Sequence, residues 1–493
     1  MTCSVRHTDA LAGLQAMPEG CVDCCVTSPP YWGLRDYGEG TATVWDGDPN
    51  CPHEWGDALP AAGARSNDSA PGAKETPGAH TDRDKRQRSA FCQLCGAWYG
   101  QLGLEPHPSL FLEHLWAIFD EVQRVLKPMG TCFVVMGDSY CSLKGSCYNP
   151  GGGANSLGQN RKAAGVHPLS RGNKGDVPEA DRNWLRPKQL LLIPSRFAIG
   201  LQERGWLLRN DIVWHKPNPM PASARDRFTC AWEHVFMFAR SGRYFFNMED
   251  SLEVGATGAW EAMPPIGGVK QTEGSGNETY SGNRPASNGM RQPRDVWTLN
   301  TACFPAAHFA VYPEALVKKA LLAGCPPRVC GKCGKPWGRN VERGEPVDHP
   351  QRRNRKVPAL QFTAEGNQYK AGGYLGKVRA YEVSGWHPTC FCAGRETCGN
   401  CGGSGWVGVK RIEQQEGETR RRCSACKGKG EVGLPGPWQP GLVLDPFCGT
   451  GTTGVVAVEL GLRFSGLEIN AEYVEMAARR IADAQSPLLE VAR

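Results

Sequence analysis

The order of apolar and polar residues predicts strands that alternate with helices along much of the chain. Apolar runs that end in a turn, CVDCCVTS (21–28) and TCFVVMGDSY (131–140), are typical of buried strands. Apolar residues recur at helical spacing over about 109–126, and shorter helices are predicted in DALAGLQAMPEG and LIPSRFAIGLQERGW. Further strands are predicted in LLRNDIVWHK and HVFMFARS. This alternation favours an α/β fold with a doubly wound, mostly parallel sheet.

Four segments interrupt the alternation because they are rich in glycine, proline or cysteine. Residues 56–90, 142–183 and 250–292 have the composition of loops, and 142–183 is also basic. Residues 325–432 combine many cysteines and glycines with little apolar periodicity. We therefore expect insertions with small cores, which usually need metal ions for stability.

Length and composition indicate a large globular protein. The 493 residues, 40% hydrophobic and 22% charged, suggest about three domains. We find no run of about 18 apolar residues and no basic-then-apolar leader, so we expect no membrane span or signal peptide and predict a cytoplasmic protein. The net charge of +6 permits a nucleic-acid partner without requiring one.

The 22 cysteines are of two kinds. Cys24 and Cys25 lie in a buried-strand pattern, where cysteine packs as a small hydrophobic side chain. Other cysteines recur at short spacing, which in a cytoplasmic protein indicates metal sites more than disulfides. Four-ligand sets leave no position for a reactant, so they predict up to three structural zinc ions. The sets are Cys51, His53, Cys92 and Cys95; Cys330, Cys333, Cys390 and Cys392; and Cys398, Cys401, Cys423 and Cys426.

The third set is carried by a repeated C-x-x-C-x-G-x-G, in CGNCGGSG (398–405) and CSACKGKG (423–430). This repeat resembles the zinc-binding repeat of DnaJ-type chaperones, but it covers too little of the chain to make the whole protein a chaperone. Nearby basic runs, RRNRK (352–356) and RRR (420–422), either contact phosphates or are simply solvated.

The C-terminal stretch LVLDPFCGTGTTG (442–454) predicts a ligand-binding turn between a buried strand and a helix. Gly449-x-Gly451-x-x-Gly454 lets the backbone approach a ligand, and the helix start offers free N–H groups. Glu468 ends the next strand, where its carboxylate can accept hydrogen bonds from ribose hydroxyls. Because few residues follow Gly454, the sheet must be completed by N-terminal strands, including the one that ends at Thr27-Ser28-Pro29-Pro30.

The motifs TSPPY (27–31) and DPFCGTGTT (445–453), in this order, resemble the β-class amino-methylating DNA methyltransferases, which place the catalytic motif first and the cofactor loop last. The resemblance implies a Rossmann-like, circularly permuted core that binds S-adenosylmethionine. It also implies that HFAVYP (308–313) corresponds to the family's H-x-A-x-F-P segment, with Tyr312 in place of phenylalanine. The implied cofactor-binding residues are Asp9, His308, Tyr312, Pro313, Asp445, Phe447, Gly449, Gly451, Thr452 and Glu468.

The same resemblance divides the chain into a core and insertions. The core is expected at 1–45, 99–325 and 436–493, with a mobile basic loop at 142–183. A zinc-binding insertion with a flexible loop is expected at 46–98, and a double zinc-binding insertion at 326–435.

The resemblance assigns catalysis to Ser28, Pro29, Pro30 and Tyr31. An exocyclic base amine is a weak nucleophile, so acceptors fixed at the Ser28 hydroxyl and the Pro29 carbonyl would favour a pyramidal nitrogen. Tyr31, with Trp32 as a second candidate, would stack on a base flipped out of double-stranded DNA. On this view the ring of Tyr31 matters and its hydroxyl does not.

The serine of this motif favours cytosine N4 as the target, with adenine N6 as the alternative. Methylation of cytosine carbon 5 would use a Pro-Cys dipeptide, which the chain lacks. Two other classes stay open: a non-catalytic nucleic-acid-binding zinc protein, and an RNA or protein methyltransferase with the same core. A cognate restriction endonuclease is a possible partner, and the sequence does not indicate an oligomeric state.

Overall fold

The structure is a computed structural model, and its chain forms two compact units. It describes residues 3–33, 37, 40–56, 89–141, 147–148, 185–186, 188–219, 221–222, 224–254, 290–301, 312–347, 378–393, 395–397, 406–409, 419–422, 431–433 and 436–491. The first unit comprises Met1–Asn247, Arg294–Val329 and Trp438–Arg493. The second comprises Met248–Pro293 and Cys330–Pro437.

The elements of the chain follow one another in this order: β1 (Cys3–His7), α1 (Ala10–Gln15), β2 (Val22–Thr27), β3 (Thr43–Trp45), β4 (Ala90–Phe91), β5 (Trp98–Gly100), α2 (Pro108–Val125), β6 (Leu126–Met136), β7 (Tyr140–Cys141), β8 (Cys147–Tyr148), α3 (Ile193–Glu203), β9 (Leu207–His215), β10 (Trp232–Ala239), α4 (Met248–Ser251), β11 (Glu253–Val254), β12 (Met290–Arg291), β13 (Val296–Thr298), α5 (Glu314–Gly324), β14 (Val329–Cys330), β15 (Gly338–Val347), β16 (Val378–His387), β17 (Arg395–Thr397), β18 (Trp406–Val409), β19 (Thr419–Arg422), β20 (Glu431–Gly433), β21 (Trp438–Gln439), β22 (Leu442–Asp445), α6 (Thr452–Glu459), β23 (Arg463–Glu468) and α7 (Ala471–Val491).

An eight-stranded sheet in the order β1-β23-β22-β2-β6-β10-β9-β13 forms the centre of the first unit. The first five strands are parallel, β10 is antiparallel to both β6 and β9, and β13 runs parallel to β9. Strand β2 lies between β22 and β6, with Cys25 opposite both Leu444 and Cys132. The prediction that N-terminal strands complete a sheet begun by the C-terminal unit is confirmed.

Helices cover both faces of this sheet, as a doubly wound fold requires. One core contains α1, α2 and α3 and includes Leu14, Leu115 and Phe197. The opposite core contains α5, α6 and α7 and includes Leu316, Val456 and Ile481. Successive strand residues point to opposite faces, so Cys25 lies in the first core and Cys24 in the second, and neither is exposed. Their prediction as core residues is confirmed.

The junction between α2 and β6 differs from the sequence-based expectation. The apolar pattern predicts a helix over about 109–126 and a strand within 131–140, but β6 begins at Leu126, directly after α2. Lys127 donates from Nζ to both carboxylate oxygens of Asp23, at 2.8 Å, which holds this segment beside β2. Pro128 has no N–H for the ladder, and the register between the two strands shifts between Val22 and Cys24.

Smaller sheets accompany the central one. In the first unit, β3, β5 and β4 form a three-stranded antiparallel sheet. In the second unit, β15 pairs with β16, β17 with β20, and β18 with β19, all antiparallel. Cys330, Trp337 and Cys390 form a small buried cluster there. Within the described residues, no helix has both the length and the apolar character that crossing a membrane would require.

Candidate active site

The carboxyl edge of the central sheet brings the two predicted motifs together. Strand β2 ends at Thr27, immediately before Ser28, and its neighbour β22 ends at Asp445. The Thr27 hydroxyl donates to Asp445 Oδ1 over 2.6 Å, although the two residues are 418 positions apart. This buried hydrogen bond fixes the start of the Ser-Pro-Pro-Tyr turn against the start of the glycine loop, at the edge where open α/β sheets bind ligands.

Asp445 is completely buried, and several donors satisfy its carboxylate. Oδ2 accepts hydrogen bonds from the hydroxyls of Thr453, at 2.7 Å, and Tyr312, at 2.9 Å. Oδ1 accepts from the amide of Phe447 at 3.1 Å, in addition to Thr27. Burial raises the pKa of Asp445, and the three hydroxyl donors counteract that rise. The carboxylate therefore ties strand, loop and α6 together from within the core.

The hydroxyl of Tyr312 is part of this hydrogen-bond network. Its hydroxyl also contacts Thr453 Oγ1, and burial raises the pKa of the phenol well above its ordinary value of 10.0. A phenylalanine at this position would leave Asp445 with one donor fewer. Pro313 follows as the N-terminal flanking residue of α5. His308 lies outside the described residues.

The three glycines of the cofactor loop have different roles. Gly449, with φ +53°, has room beside it within the part of the chain that the structure describes, since the nearest atom there to an added Cβ is the Phe447 carbonyl oxygen, 4.0 Å away. At Gly451, with φ +85°, a Cβ would come within 2.9 Å of Ala477 Cβ, and at Gly454 within 2.4 Å of Ile481 Cδ1. The last two glycines therefore allow close packing of α6 on α7, whereas Gly449 borders the space available to a ligand.

Glu468 ends β23 beside this loop. Its Oε2 accepts the Gly449 amide and its Oε1 accepts the Asn470 amide, both at 2.8 Å. Burial raises the pKa of Glu468 above its ordinary value of 4.5. Each carboxylate oxygen has two lone pairs, so both can accept a further hydrogen bond from a bound ligand. Glu468 thus holds the loop in place through the Gly449 amide.

The other predicted cofactor residues lie at the same edge in supporting positions. Asp9 precedes α1 and accepts the Ala12 amide at 2.9 Å, so it caps that helix. Phe447 is partly buried, and Thr452 is a buried residue at the start of α6. Arg480 donates to Thr452 Oγ1 at 3.3 Å and to the Thr450 carbonyl at 2.7 Å, which fixes the far side of the loop.

The Ser-Pro-Pro-Tyr turn is held by a charged pair that sequence reasoning missed. The Tyr31 hydroxyl donates to Glu233 Oε2 over 3.0 Å, and Glu233 Oε1 pairs with Lys216. Lys216 Nζ also lies 4.4 Å from the ring centroid of Trp214. Burial, and next the Glu233 charge, raise the pKa of Tyr31 well above 10.0, whereas the Ser28 hydroxyl acts in the opposite direction. The Tyr31 phenol therefore stays protonated at physiological pH and can donate this hydrogen bond to Glu233.

Space for the Tyr31 ring depends on a glycine at the end of β6. A Cβ at Gly137 would lie 2.8 Å from Tyr31 Cε2 and 3.2 Å from Glu233 Oε1. The next residue, Asp138, accepts the Ser139 and Ile193 amides at 2.8 and 3.1 Å, and burial raises its pKa. Asp138 thereby caps the start of α3. The sequence Gly-Asp-Ser at 137–139, directly after an apolar run, is a signal for this turn that the sequence-based prediction did not include.

Trp32 does not fit the expectation that it stacks on a base. Its side chain is only 2% exposed, and its indole N–H donates to the Glu105 carbonyl over 3.0 Å. The ring is part of the core beneath α2. That expectation was wrong, because the indole finds its hydrogen-bond partner inside the protein and Trp32 packs there.

Two of the predicted metal-ligand sets are assembled. In each set, the candidate ligand atoms all lie within 4.8 Å of one another: Cys51, His53, Cys92 and Cys95 in the first unit, and Cys330, Cys333, Cys390 and Cys392 in the second. In the first set, Cys51 Sγ and Cys92 Sγ are 3.8 Å apart, and Cys95 Sγ and His53 Nδ1 are 3.5 Å apart. Tetrahedral Zn–S bonds of about 2.3 Å require S···S distances of about 3.8 Å, so the arrangement fits a zinc ion.

Both sets use the same turn. The amides of Cys92 and Cys330 donate to the carbonyl five residues on, at 2.7 and 2.9 Å. Their carbonyls accept the amides of Gly96 and Gly334, at 3.0 and 2.9 Å, and both glycines have positive φ. A turn of this form points two thiols to one side. The third predicted set, Cys398, Cys401, Cys423 and Cys426, lies outside the described residues.

The carboxyl edge of the sheet thus places the Ser28–Tyr31 turn beside a glycine loop, and comparison with known proteins gives the family. Residues 22–331 and 439–479 match the family model N6_N4_Mtase, described as DNA methylase. The chain therefore belongs to this family and is an amino-methylating DNA methyltransferase whose substrate is DNA.

Two curated proteins and one solved structure show what the chain is similar to. The chain is 34% identical over 319 residues to the Type II methyltransferase M.Cfr9I of Citrobacter freundii, covering 65% of this chain and 71% of that one. It is 32% identical over 319 residues to M.XycI of Xanthomonas campestris pv. cyanopsidis, with the same coverage. The solved PvuII DNA methyltransferase (cytosine-N4-specific) aligns over 99% of this chain and 93% of that one, at 12% identity and a TM-score of 0.40.

Proposed function

We propose that this protein transfers a methyl group from S-adenosylmethionine to the N4 amine of a cytosine flipped out of double-stranded DNA. The observation that carries the proposal is the 2.6 Å hydrogen bond between Thr27 and Asp445, which fixes the amine-binding turn beside the cofactor loop. Methyl transfer needs the acceptor nitrogen and the donor carbon in line and in contact. Two loops on adjacent strand ends support that geometry.

The open space beside Gly449 and the Glu468 carboxylate fit a nucleoside cofactor. S-adenosylmethionine would be held by the Asp445–Gly454 loop, with the ribose hydroxyls on Glu468, and it would supply an electrophilic sulfonium methyl group. Gly449 lets the ligand approach the backbone, and Asp445, Tyr312 and Thr453 keep the loop in shape from behind. His308, Pro313, Asp9, Phe447, Gly451 and Thr452 remain predicted contributors to this site.

Ser28 and Pro29 would act on the target amine. Their oxygens accept its two N–H hydrogens, which turns the nitrogen lone pair out of the ring system and toward the methyl group. Pro29 is buried and Pro30 partly buried, and both have restricted backbones, so the acceptors need little reorganisation. Tyr31 would stack on the flipped base, with its hydroxyl held by Glu233. No covalent enzyme intermediate is needed.

Ser28 as the first motif residue is the reason for proposing cytosine N4 over adenine N6. Adenine N6 is the second candidate, because the same acceptors suit either exocyclic amine and the family includes both reactions. A decayed, non-catalytic protein would lack cofactor affinity. Binding of S-adenosylmethionine to the purified protein therefore separates the enzymatic proposal from that alternative.

The direct test is methyl transfer from isotopically labelled S-adenosylmethionine to unmethylated bacterial DNA. We expect Ser28→Ala to lose most of the transfer and to keep its affinity for the cofactor, because the cofactor lies on the other loop. Ser4→Ala, an exposed serine on β1, serves as the matched control and should behave like wild type. Equal transfer by Ser28→Ala and wild type would contradict the proposal.

We further propose structural zinc ions at the two assembled cysteine sets and at the Cys398–Cys426 set. A four-ligand set has no open position for a reactant, so these ions would stabilise insertions rather than take part in catalysis. A cognate restriction endonuclease is proposed as the partner of the modification activity, since the similar proteins are named Type II methyltransferases.

A further inference from the structure

The segment 224–231, immediately before β10, lies at the same sheet edge as the catalytic turn. Because β10 is antiparallel to β6, its first residues lie beside the last residues of β6, with His234 opposite Met136. Across the other side of β10, Trp232 is opposite His215, the last residue of β9. The segment therefore enters the sheet next to Glu233, the residue that holds the Tyr31 hydroxyl.

Phe228 in this segment is 96% exposed. The next most exposed large apolar side chains among the described residues, Leu94 and Ile199, reach 54%. Single exposed apolar residues are common on proteins and need no explanation by themselves. An aromatic ring with almost no contact to its own protein, beside a site that must handle a base outside the helix, is a more specific arrangement.

Contacts of neighbouring residues hold the segment that carries this ring. The Arg227 guanidinium lies 3.9 Å from the centroid of the Tyr140 ring, and Lys188 Nζ pairs with Asp226 Oδ2 at 2.6 Å. The amide of Lys216 donates to the Ala231 carbonyl at 2.7 Å, which closes the base of the segment. The stacked Arg227 and the ion-paired Asp226 directly precede Phe228, and Ala231 follows it, so these contacts hold the backbone of the segment from which the exposed ring projects.

The charge of the segment suits a phosphate backbone. Arg225 and Arg227 flank Asp226, whose charge is balanced by Lys188. The surface around Phe228 is therefore positively charged, and Arg225 is exposed. An exposed aromatic ring next to basic side chains is an arrangement with which proteins can insert an apolar side chain into a DNA base stack while they contact phosphates.

We propose that Phe228 enters the DNA duplex beside the flipped base and that Arg225 contacts the adjacent phosphates. This inference rests on the proposed function, because only an enzyme that flips its target base opens such a gap. Flipping removes the stacking and pairing of the target. An aromatic ring placed in the gap restores part of the stacking and favours the flipped state.

The test compares two duplexes that contain the recognition sequence, which is first identified by sequencing DNA methylated by the wild-type protein. In one duplex the target base is paired, and in the other an abasic site lies opposite it. We expect Phe228→Ala to slow single-turnover methylation of the paired duplex by about tenfold or more. With the unpaired target, where flipping requires less free energy, the variant should recover to within about threefold of wild type.

Three further variants test separate parts of the proposal. Phe228→Trp keeps an aromatic ring and should methylate the paired duplex at close to the wild-type rate. Phe246→Ala removes another exposed aromatic, 36% exposed, which follows β10 at the opposite sheet edge, and should have no effect. Arg225→Ala should reduce the slope of log Kd against log salt concentration by about one for the paired duplex.

The outcomes separate the two proposals. Wild-type rates for Phe228→Ala on the paired duplex, or equal losses on both duplexes, would overturn the insertion of Phe228 and leave the methyltransferase intact. If the wild-type protein methylates no DNA, so that no recognition sequence is found, the proposed function and this inference are overturned together.

Discussion

Replacing Tyr31 with phenylalanine is the sharpest test of how the catalytic turn is held. The ring stays, but the hydrogen bond from the phenol to Glu233 Oε2, 3.0 Å long, is lost. A hydrogen bond to a charged group contributes about 1.5–3 kcal/mol. Because Glu233 keeps its bond with Lys216 and is partly exposed, we take the lower part of this range, about 1.5–2 kcal/mol. That corresponds to about a 10- to 30-fold lower rate of methyl transfer.

The assay is single-turnover methylation of saturating DNA, together with calorimetric titration of S-adenosylmethionine. Tyr31→Phe should lower the rate and leave cofactor affinity unchanged, whereas Tyr31→Ala should lose base stacking as well and fall further. Glu233→Gln keeps an amide oxygen that can accept the phenol hydrogen bond, so this variant should retain part of the rate that Tyr31→Phe loses. A rate for Tyr31→Phe within twofold of wild type would refute the reasoning and restore the expectation that only the ring matters.

Four further predictions follow from the same edge of the sheet and from the cysteine sets. Glu468→Ala should weaken S-adenosylmethionine binding at least about tenfold, since hydrogen bonds on the order of 1.5–3 kcal/mol are lost, and unchanged calorimetric affinity would contradict the assignment. Because burial raises the pKa of Glu468, wild-type affinity should decline on acidification from a higher pH than the ordinary value of 4.5 implies, and Glu468→Gln should lack this dependence. Tyr312→Phe should lower the free energy of unfolding in urea by about 1–3 kcal/mol through the lost bond to Asp445, and an unshifted midpoint would count against that network. Elemental analysis should give close to three zinc equivalents per chain, with one fewer in Cys92→Ser. A value of at most one equivalent in the wild-type protein would contradict zinc binding by the Cys51 and Cys330 sets.

Much of the central fold could be predicted because its signals are local. Apolar runs that end at Thr27, Asp445 and Glu468 mark strands, and the residues just beyond them mark the edge where ligands bind. The Ser-Pro-Pro-Tyr turn and the glycine loop each follow a predicted buried strand, so a shared sheet edge for β2 and β22 could be expected from the two motifs. Cys24 and Cys25 were predictable as core residues for the same local reason.

The parts that could not be predicted depend on long-range register. Glu233 reaches Tyr31 only because β10 is antiparallel to β6, a direction that the apolar pattern of HVFMFARS does not reveal. The burial of Trp32 depends on the Glu105 carbonyl, 73 residues away. Pairing of this kind is set by tertiary packing, which no short motif contains.

The central claim is that the turn from Ser28 to Tyr31 methylates a cytosine amine in DNA. The most direct measurement is mass spectrometry of nucleosides from the DNA of a methylation-deficient bacterial host that expresses this chain, compared with the same host expressing Ser28→Ala. The account predicts N4-methylcytosine with the wild-type protein and little or none with the variant. N6-methyladenine alone would contradict the choice of cytosine, and 5-methylcytosine alone, or no methylated base from a protein that binds S-adenosylmethionine, would contradict the mechanism.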